Sequence, residues 1–128
     1  MADPVVSLAD FQISNATAVR LEPGDDARAL LPHLDRLTLV EVAFPSFRDG
    51  RGYSSARILR EAGYTGTLRA EGDVLVDQMP LMARCGFDDF APRNPVDQAA
   101  ADRAMQRYDL FYQSAADAHQ PVWKLRHG

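Results

Sequence analysis

The sequence predicts a small α/β domain of βαβαβα type, with a mostly parallel sheet that is open or half-barrel-like and short N- and C-terminal arms. Three observations predict this fold: strand-like apolar runs alternate with helix-like segments, the connections are short, and each strand–helix unit is compact. Alternating units of this kind are typical of parallel sheets with right-handed crossovers. Units of about 21–25 residues resemble those of (β/α) barrels, although four units cannot close an eight-stranded barrel.

Length and composition favour one globular domain. The 128 residues predict a single domain over residues 1–128, with an ordered core at about 18–114 and a tail that forms an arm. Apolar residues make up 46% of the chain and charged residues 25%, as is ordinary for a folded protein. Exposed strand edges and apolar faces on so small a sheet predict a homo-oligomer, most simply a homodimer.

The start of the chain shows no sign of export or membrane insertion. Acidic residues stand where a signal peptide needs a basic segment. No run approaches the roughly 20 apolar residues that a membrane span needs. We therefore expect a cytoplasmic protein that makes no membrane contact.

Two strands and one helix are predicted in the first third of the chain. Residues 18–21 form a short strand, which a proline–glycine turn signal ends. Acidic residues then open a helix that ends near Asp35. Residues 37–44 form the strongest predicted strand, because the segment is apolar, rich in β-branched residues and followed by a proline. Residues 5–8 are either an edge strand or an ordered arm.

The next unit is predicted from its cap and stop residues. Either Ser54 or Ser55 caps a helix that runs to residue 62, and Gly63 ends it. Residues 64–70 then hold a strand centred on a Thr-Leu-Arg run. A glycine–aspartate turn follows this strand.

A further helix, strand and helix complete the alternation. The helix ends at Gly86, and Pro80 either kinks it or lies in its first turn after a start near Asp77. Residues 87–91 form a short strand. An Asn-Pro pair, which suits a cap and first turn, then opens a helix through about Tyr112.

The charge distribution points to the middle of the chain. A formal net charge of −4 argues against a nucleic-acid-binding protein, which needs a basic surface. Residues 44–85 nevertheless carry six arginines and no lysine, against five carboxylates. Arginine suits bidentate contacts to anions better than lysine does. We therefore expect contacts with an anion or an acidic partner in this segment.

Ligands of parallel α/β sheets bind at the carboxyl ends of the strands, where three loops of this chain are predicted to lie. The first loop leaves the strongest strand and enters a helix, with two glycines that allow close backbone approach and an arginine between them. In the alternative, the segment is a tight turn in which an aspartate pairs with its own arginine. The candidate anion- or partner-binding residues here are Asp49, Gly50, Arg51, Gly52, Tyr53 and Ser54.

The second loop and the helix before it contribute the other candidates. Two carboxylates four residues apart can share a helical face, where they could do acid–base work or bind a metal through oxygen. In the alternative, Asp73 only caps a helix. Asp77 then pairs with Arg69 or Arg84. Two arginines of the preceding helix, Arg57 and Arg60, are expected to face outward. The candidates from this helix and the second loop are Arg57, Arg60, Arg69, Asp73, Asp77 and Gln78.

No cofactor or metal site is predicted from the residues, and no catalytic residue is assigned. The single cysteine, Cys85, can form no intrachain disulfide and cannot hold an iron–sulfur cluster. As a lone cysteine near the end of an apolar helix, it is expected to be a small core residue. The three histidines lie far from metal-ligand spacing. The glycine-rich loop matches neither the P-loop nor the dinucleotide-binding fingerprint.

Several of these segments together resemble a proteobacterial family known as domain of unknown function 934. The resemblance covers roughly residues 5–113. Two positions depart from the family pattern: Pro80 stands where an apolar helix residue is expected, and Arg48 where a small polar residue is more common. Arg48 is therefore a poor candidate for an essential group. The matching segments are Phe44-Pro45-x-Phe47-x-Asp49-Gly50-Arg51-Gly52-Tyr53-Ser54-x-Ala56-Arg57-x-Leu59-Arg60, Gly66-x-Leu68-Arg69-Ala70-x-Gly72-Asp73-Val74-Leu75, Asp77-Gln78, Arg84-Cys85-Gly86-Phe87-Asp88 and Tyr112-Gln113.

The resemblance implies a pathway. Members of the family are commonly encoded beside assimilatory sulfite reductase and are described as oxidoreductases of sulfite reduction. Combined with the arginine-rich loop and helix, this implies an accessory protein that docks the reductase or its electron donor. The alternatives are an oxidoreductase or other enzyme that binds sulfite, sulfate or phosphate at the same strand ends, with Asp49 or Asp73 as acid or base, and a scaffold whose dimer interface is its function.

Overall fold

The computed structural model describes residues 4–111 and 123–126. Its centre is an open six-stranded sheet in which every neighbouring pair of strands is parallel and the strand order follows the chain order. This arrangement confirms the predicted α/β fold with a parallel sheet. The strands are β1 (Val6–Ser7), β2 (Ala18–Leu21), β3 (Leu39–Phe44), β4 (Thr67–Gly72), β5 (Asp89–Pro92) and β6 (Lys124–Leu125).

Helical segments connect the strands and cover one face of the sheet. Because every crossover is between sequential parallel strands and crossovers are right-handed, the helices lie on the same side. One apolar core joins residues from all four α-helices, such as Phe11, Leu59, Met82 and Met105, to the alternate strand residues that face them. The helical segments are α1 (Leu8–Gln12), a 3₁₀ helix (Ala27–Arg36), α2 (Arg51–Glu61), a 3₁₀ turn (Val76–Gln78), α3 (Met79–Cys85) and α4 (Gln98–Phe111).

Several predicted boundaries are confirmed. Strand β2 occupies residues 18–21, as predicted. Pro80 lies in the first turn of α3, where its missing N–H costs no helical hydrogen bond. Gly63 and Gly86 follow α2 and α3 with φ of +102° and +119°, the left-handed conformation that commonly ends a helix.

Other boundaries differ from the prediction for identifiable reasons. The segment predicted as a helix up to Asp35 is a 3₁₀ helix, because Pro32 in its middle lacks an N–H and its ring is incompatible with a continuous α-helix. Helix α2 begins at Arg51 and not at a serine cap, and Gly52 in its first turn allows close packing on Phe44 of β3. Strand β4 lies further along the chain than predicted, over Thr67–Gly72. Strand β5 is displaced in the same direction.

The last helix and the tail are only partly within the described residues. Helix α4 begins at Gln98, three residues after the predicted proline start. Its predicted end near Tyr112 and most of the tail lie outside the described residues. Residues 123–126 are described, and they add β6, which the arm prediction missed. No helix in the described ranges is long and apolar enough to cross a membrane.

Candidate functional site

The loop between β3 and α2 is held by side chains from neighbouring loops at the carboxyl ends of the strands. The Asp73 carboxylate accepts a hydrogen bond from the Phe47 N–H at 2.8 Å. The Gln78 side-chain amide donates to the Phe47 carbonyl at 2.9 Å. Arg93 donates to the Pro45 carbonyl at 3.2 Å. Both backbone groups of Phe47 are thus bound, which restricts the conformation of the loop.

These contacts show that one prediction for the second loop is wrong, namely that Asp73 only caps a helix and that Asp77 pairs with Arg69. The Asp73 side chain caps no helix, since residues 75 and 78 hold the N-cap positions of the two helical segments that follow. Its own N–H donates to the Phe44 carbonyl at 2.7 Å. The predicted pair between Asp77 and Arg69 is absent as well, because Arg69 bonds to carboxylates on its own sheet face.

Asp73→Ala is expected to loosen the β3–α2 loop without unfolding the protein. The change removes the acceptor of the Phe47 N–H, and a lost hydrogen bond of this kind costs about 1 kcal/mol. Amide hydrogen exchange at Phe47 should become faster, while exchange in β3 itself stays slow. Asp77→Ala is the matched control, because this exposed carboxylate lies four residues away and is not bonded to the loop. Equal exchange at Phe47 in the two variants would contradict the assigned role of Asp73.

The restrained loop presents an apolar surface bordered by arginines. The Phe47 side chain is 38% exposed although its backbone is bound, and Leu75 in the neighbouring loop is 39% exposed. The guanidinium of Arg48 lies 5.5 Å from the centre of the Phe47 ring, within cation–π range. We call the exposed group Phe47, Arg48, Arg51 and Leu75 the rim patch.

Arg51 is paired with its own neighbour. Its Nε lies 3.0 Å from Oδ1 of Asp49, and its Nη2 lies 2.7 Å from Oδ2. Hydrogen bonding to Arg51 lowers the pKa of Asp49 to about 2, so this carboxylate is ionised at any physiological pH. The alternative of a turn with an internal aspartate–arginine pair is therefore confirmed in its geometry, although the Arg51 side chain remains 64% exposed.

The other predicted residues of this loop shape the start of α2. Gly50 precedes the helix, and the exposed Ser54 lies in its first turn. A Cβ on Gly52 would lie 2.5 Å from Cζ of Phe44, so only glycine allows the helix to approach β3 this closely. Tyr53 packs edge to face on the same Phe44 ring, with 5.6 Å between ring centres. Burial raises the pKa of Tyr53.

A cavity of about 170 Å³ opens beside Arg51, between the ends of β2 and β3. Its floor is apolar, since Leu21 and Val42 are buried. Its walls include the acidic residues Glu22 and Asp25 and the side of α2 that carries Arg51. The cavity thus combines an apolar floor with charges of both signs.

The two arginines predicted to face outward from α2 have different environments. Arg57 is exposed, as expected. Arg60 is not an outward-facing binding residue: its guanidinium donates to the backbone carbonyls of Tyr64, Gly66 and Gly86 at 2.8–3.0 Å. These carbonyls lie near the amino ends of the strands, at the opposite edge of the sheet from Arg51. The structure therefore does not bring the predicted arginine cluster together.

The sheet face opposite the helices carries a row of alternating charges that crosses the sheet. Each neighbouring pair is joined: Arg20 to Glu41, Arg69 to Glu41 at 3.0 Å, Arg69 to Asp89 at 3.5 Å, and Arg126 to Asp89 at 2.8 Å. We call these five residues the charge ladder. Parallel register places the first four directly beside one another on β2 to β5.

The central side chains of the charge ladder are more buried than charged side chains usually are. The side chains of Arg69, Glu41 and Asp89 are only 16%, 11% and 2% exposed. Arg20 also contacts Glu71 at 2.9 Å on the next strand but one. The predicted homodimer rested in part on an apolar sheet face, whereas this face is charged and internally paired. The homodimer stays a prediction, supported by the exposed strand edges alone.

Sequence reasoning found one member of the ladder, Arg69, but not its partners. The available signal was a charged residue inside an otherwise apolar strand, such as Arg20 in β2 and Glu41 in β3. Opposite charges at such positions on sequential parallel strands indicate neighbours on one face. Asp89 and Arg126 carried a weaker signal, because β5 is displaced from its predicted position and no strand is predicted where β6 lies.

Among the described residues, the remaining chemistry-bearing side chains form no further centre. Cys85 is buried, which confirms its predicted place in the core. Within residues 4–111 and 123–126, no three histidine, cysteine, aspartate or glutamate side chains are arranged to hold a metal ion. The exposed Asp77 instead borders an open depression with Arg103 and Arg107 of α4.

Comparison with known proteins places this fold and rim in one family. A family model described as "Bacterial protein of unknown function (DUF934)" matches residues 18–123, most of the chain. The match includes β2 to β5 and every loop of the rim patch. No curated protein and no solved structure matches the chain.

Proposed function

The chain belongs to the DUF934 family of bacterial proteins, and from that premise we propose that it is an accessory protein of assimilatory sulfite reduction. Its role is to dock onto sulfite reductase or onto the donor that supplies the reductase with electrons. The pathway rests on the family resemblance. The mode of action rests on the rim patch at the carboxyl ends of β3 and β4.

One observation carries the docking proposal: the loop that exposes Phe47 is restrained from two sides. Asp73 and Gln78 bind the two backbone groups of this residue, so its ring is presented to solvent from an ordered backbone. Exposed aromatic residues on ordered loops are well suited to act as binding anchors, because little conformational entropy is lost on association.

The charges around Phe47 define the partner. Arg48 lies against its ring, and Arg51 lies on the exposed start of α2. Aromatic and arginine residues are the types most enriched in the energetically important centre of interfaces. We therefore propose a partner surface with a small apolar slot for Phe47, bordered by carboxylates that pair with the arginines.

The rival function, an oxidoreductase or other enzyme that binds sulfite, sulfate or phosphate, is less well supported by the geometry. Asp49 already occupies two donor positions of Arg51. The adjacent cavity adds Glu22 and Asp25, which repel a small anion. Neither Asp49 nor Asp73 is placed as an acid or base, since the first pairs with Arg51 and the second binds Phe47.

Phe47→Ser is expected to weaken capture of sulfite reductase or its donor strongly in a pull-down from bacteria grown on sulfate as sole sulfur source. Truncating an anchor aromatic costs about 2 kcal/mol or more, which weakens binding roughly thirtyfold. An Arg48→Ala, Arg51→Ala double variant, which removes both arginines of the rim patch, should also weaken capture at physiological salt. Leu81→Ser is the matched control, because Leu81 is an exposed apolar residue on α3, outside the rim patch.

The controls separate docking from folding. Equal thermal unfolding of the Phe47→Ser and Leu81→Ser variants would show that the loss of capture is a surface effect. Capture that survives in Phe47→Ser and in the arginine variant would exclude the rim patch as the docking surface. Normal growth of the arginine variant on sulfate would exclude an essential role in the pathway.

A further inference from the structure

The cavity between the ends of β2 and β3 has a charge pattern that the docking function uses only in part, through Arg51. It lies beside the rim patch, and its lining combines a buried apolar floor with Asp25 and Glu22 on one side and Arg51 on the other. Its volume is about 170 Å³. A cavity of about 150 Å³ holds a molecule the size of benzene, so the ligand has roughly six or seven non-hydrogen atoms.

Two glycines contribute backbone to the lining of this space. Gly24 adopts φ of +94°, which favours glycine, and a Cβ there would lie 3.9 Å from Nη1 of Arg51. A larger side chain at Gly24 would therefore approach the Arg51 guanidinium. Gly52 lines the α2 side, where a Cβ would collide with the Phe44 ring.

The arginine still has a donor to offer. Asp49 binds Nε and Nη2 of Arg51, whereas Nη1 lies on the side of Gly24. A carboxylate in the cavity could therefore accept from Nη1 while the pair with Asp49 remains intact. Charge-assisted hydrogen bonds of this kind are stronger than those between neutral groups.

The acidic side offers the complementary group. Asp25 uses Oδ2 to accept from the Glu22 N–H at 2.8 Å, and it makes no ion pair among the described residues. The Glu22 carboxylate, by contrast, pairs with Arg20 at 2.8 Å. Asp25 is therefore the carboxylate of the cavity best placed to pair with a ligand cation.

From this pattern we infer that the cavity binds a small zwitterion of the α-amino acid class. The ligand's ammonium pairs with Asp25, its carboxylate accepts from Arg51, and a short side chain covers Leu21 and Val42. A simple anion fits less well, because it would be repelled by the carboxylates of Glu22 and Asp25. The Arg51 guanidinium that would attract it is already paired with a third carboxylate, that of Asp49. A simple cation would leave the Arg51 donor without an acceptor. This inference does not rest on the docking proposal, although Arg51 belongs to both the cavity and the rim patch.

Isothermal titration calorimetry with L-alanine tests the inference on the full chain. The comparison ligands are L-lactate, which replaces the ammonium by a hydroxyl, and L-alaninol, which replaces the carboxylate by an alcohol. We expect binding of alanine at millimolar concentration and at least about tenfold weaker binding of the two analogues. Equal binding of lactate, or no binding of alanine, would overturn the zwitterion assignment.

Variants of the lining residues locate the site. Asp25→Asn keeps an oxygen for the Glu22 N–H but removes the charge, and Arg51→Gln removes the guanidinium; each should weaken alanine binding about tenfold. Ser55→Leu should block the cavity from the α2 side. Arg28→Gln, at an exposed arginine of the 3₁₀ helix, is the control and should bind normally.

A loss of alanine binding is meaningful only in a variant that has folded. Thermal unfolding of each variant reports whether it has folded, and the two charge variants keep the test valid if Ser55→Leu has not. Alanine binding that is unchanged in both Asp25→Asn and Arg51→Gln would overturn the site. Asp25→Asn leaves the rim patch intact and should lose alanine binding while it keeps the pull-down, whereas Phe47→Ser should do the reverse. This pattern separates the inference from the docking proposal.

Discussion

Arg69→Met is expected to lower the free energy of unfolding by about 3 kcal/mol or more, because it removes the central cation of the charge ladder. Methionine preserves most of the side-chain volume, so the effect isolates the charge. Glu41 and Asp89 are nearly buried, and each would lose one of its two arginine partners. A buried carboxylate that loses a partner carries a desolvation cost that its remaining partner offsets only in part. Chemical denaturation measured by circular dichroism gives the value.

Two further variants test the interpretation of this loss. Arg28→Met removes an exposed arginine whose nearest carboxylate lies 3.8 Å away, and it should change stability by less than about 1 kcal/mol. Adding Glu41→Gln to Arg69→Met should recover part of the loss, because it removes a charge left with one partner. If Arg69→Met is as stable as the wild-type protein, the ladder makes no net contribution and its role in the sheet must be reconsidered.

Gly72→Ala is expected to destabilise the protein by about 3 kcal/mol and to disorder the rim patch. Gly72 ends β4 with φ of +116°, a conformation that costs other residues about 1–3 kcal/mol. In addition, a Cβ would lie 2.3 Å from the Phe44 carbonyl oxygen, so the two strands must move apart. That oxygen accepts the Asp73 N–H, and the Gly72 carbonyl accepts the N–H of Arg93. The movement therefore reaches the loops that hold Phe47.

Gly50→Ala is the control for this prediction. Gly50 has an ordinary φ of −88°, and a Cβ there would meet no atom within 4 Å. Alanine at such a position changes stability little or raises it slightly, because it restricts the unfolded chain. Denaturation midpoints of the two variants, together with hydrogen exchange at Phe47, provide the measurement. Similar stability of the two variants would show that β3 and β4 adapt to the added methyl group without cost.

The Arg69→Met and Gly72→Ala variants affect different parts of the molecule. Arg69→Met acts on the face opposite the helices, whereas Gly72→Ala acts on the end of the sheet that carries the rim patch. Capture of sulfite reductase or its donor should therefore survive in folded Arg69→Met and be lost in Gly72→Ala. A protein in which both variants lose capture equally would link docking to global stability, not to the rim patch.

Local signals in the chain were sufficient to predict the class of the fold. The alternation of apolar runs and helical segments predicts a parallel sheet, and β3 is recognisable from its β-branched and apolar residues alone. Pro80, Gly63 and Gly86 likewise mark helix ends correctly, since the limits on φ for proline and glycine belong to the residue itself. The loop after β3 was also identified from its position at a strand end.

The arrangement of the charges depended on the tertiary structure. Arg60 and Arg51 belong to one helix and look equivalent in the sequence, yet one binds backbone carbonyls at the amino ends of the strands and the other lies at the carboxyl ends. A helix of 11 residues spans about 16 Å, which is enough to place its two ends in different environments. The predicted arginine surface was therefore too large.

The charge ladder and the bonds to Phe47 likewise arise only when distant segments meet. The register between sequential strands decides that Glu41 lies between Arg20 and Arg69, and no local preference encodes that register. Asp73 reads as a helix cap in isolation, and it binds the Phe47 N–H because β3 and β4 end side by side. Backbone preferences act over a few neighbouring residues and so predict elements, whereas partners for buried charges are supplied by whichever strand the fold places beside them.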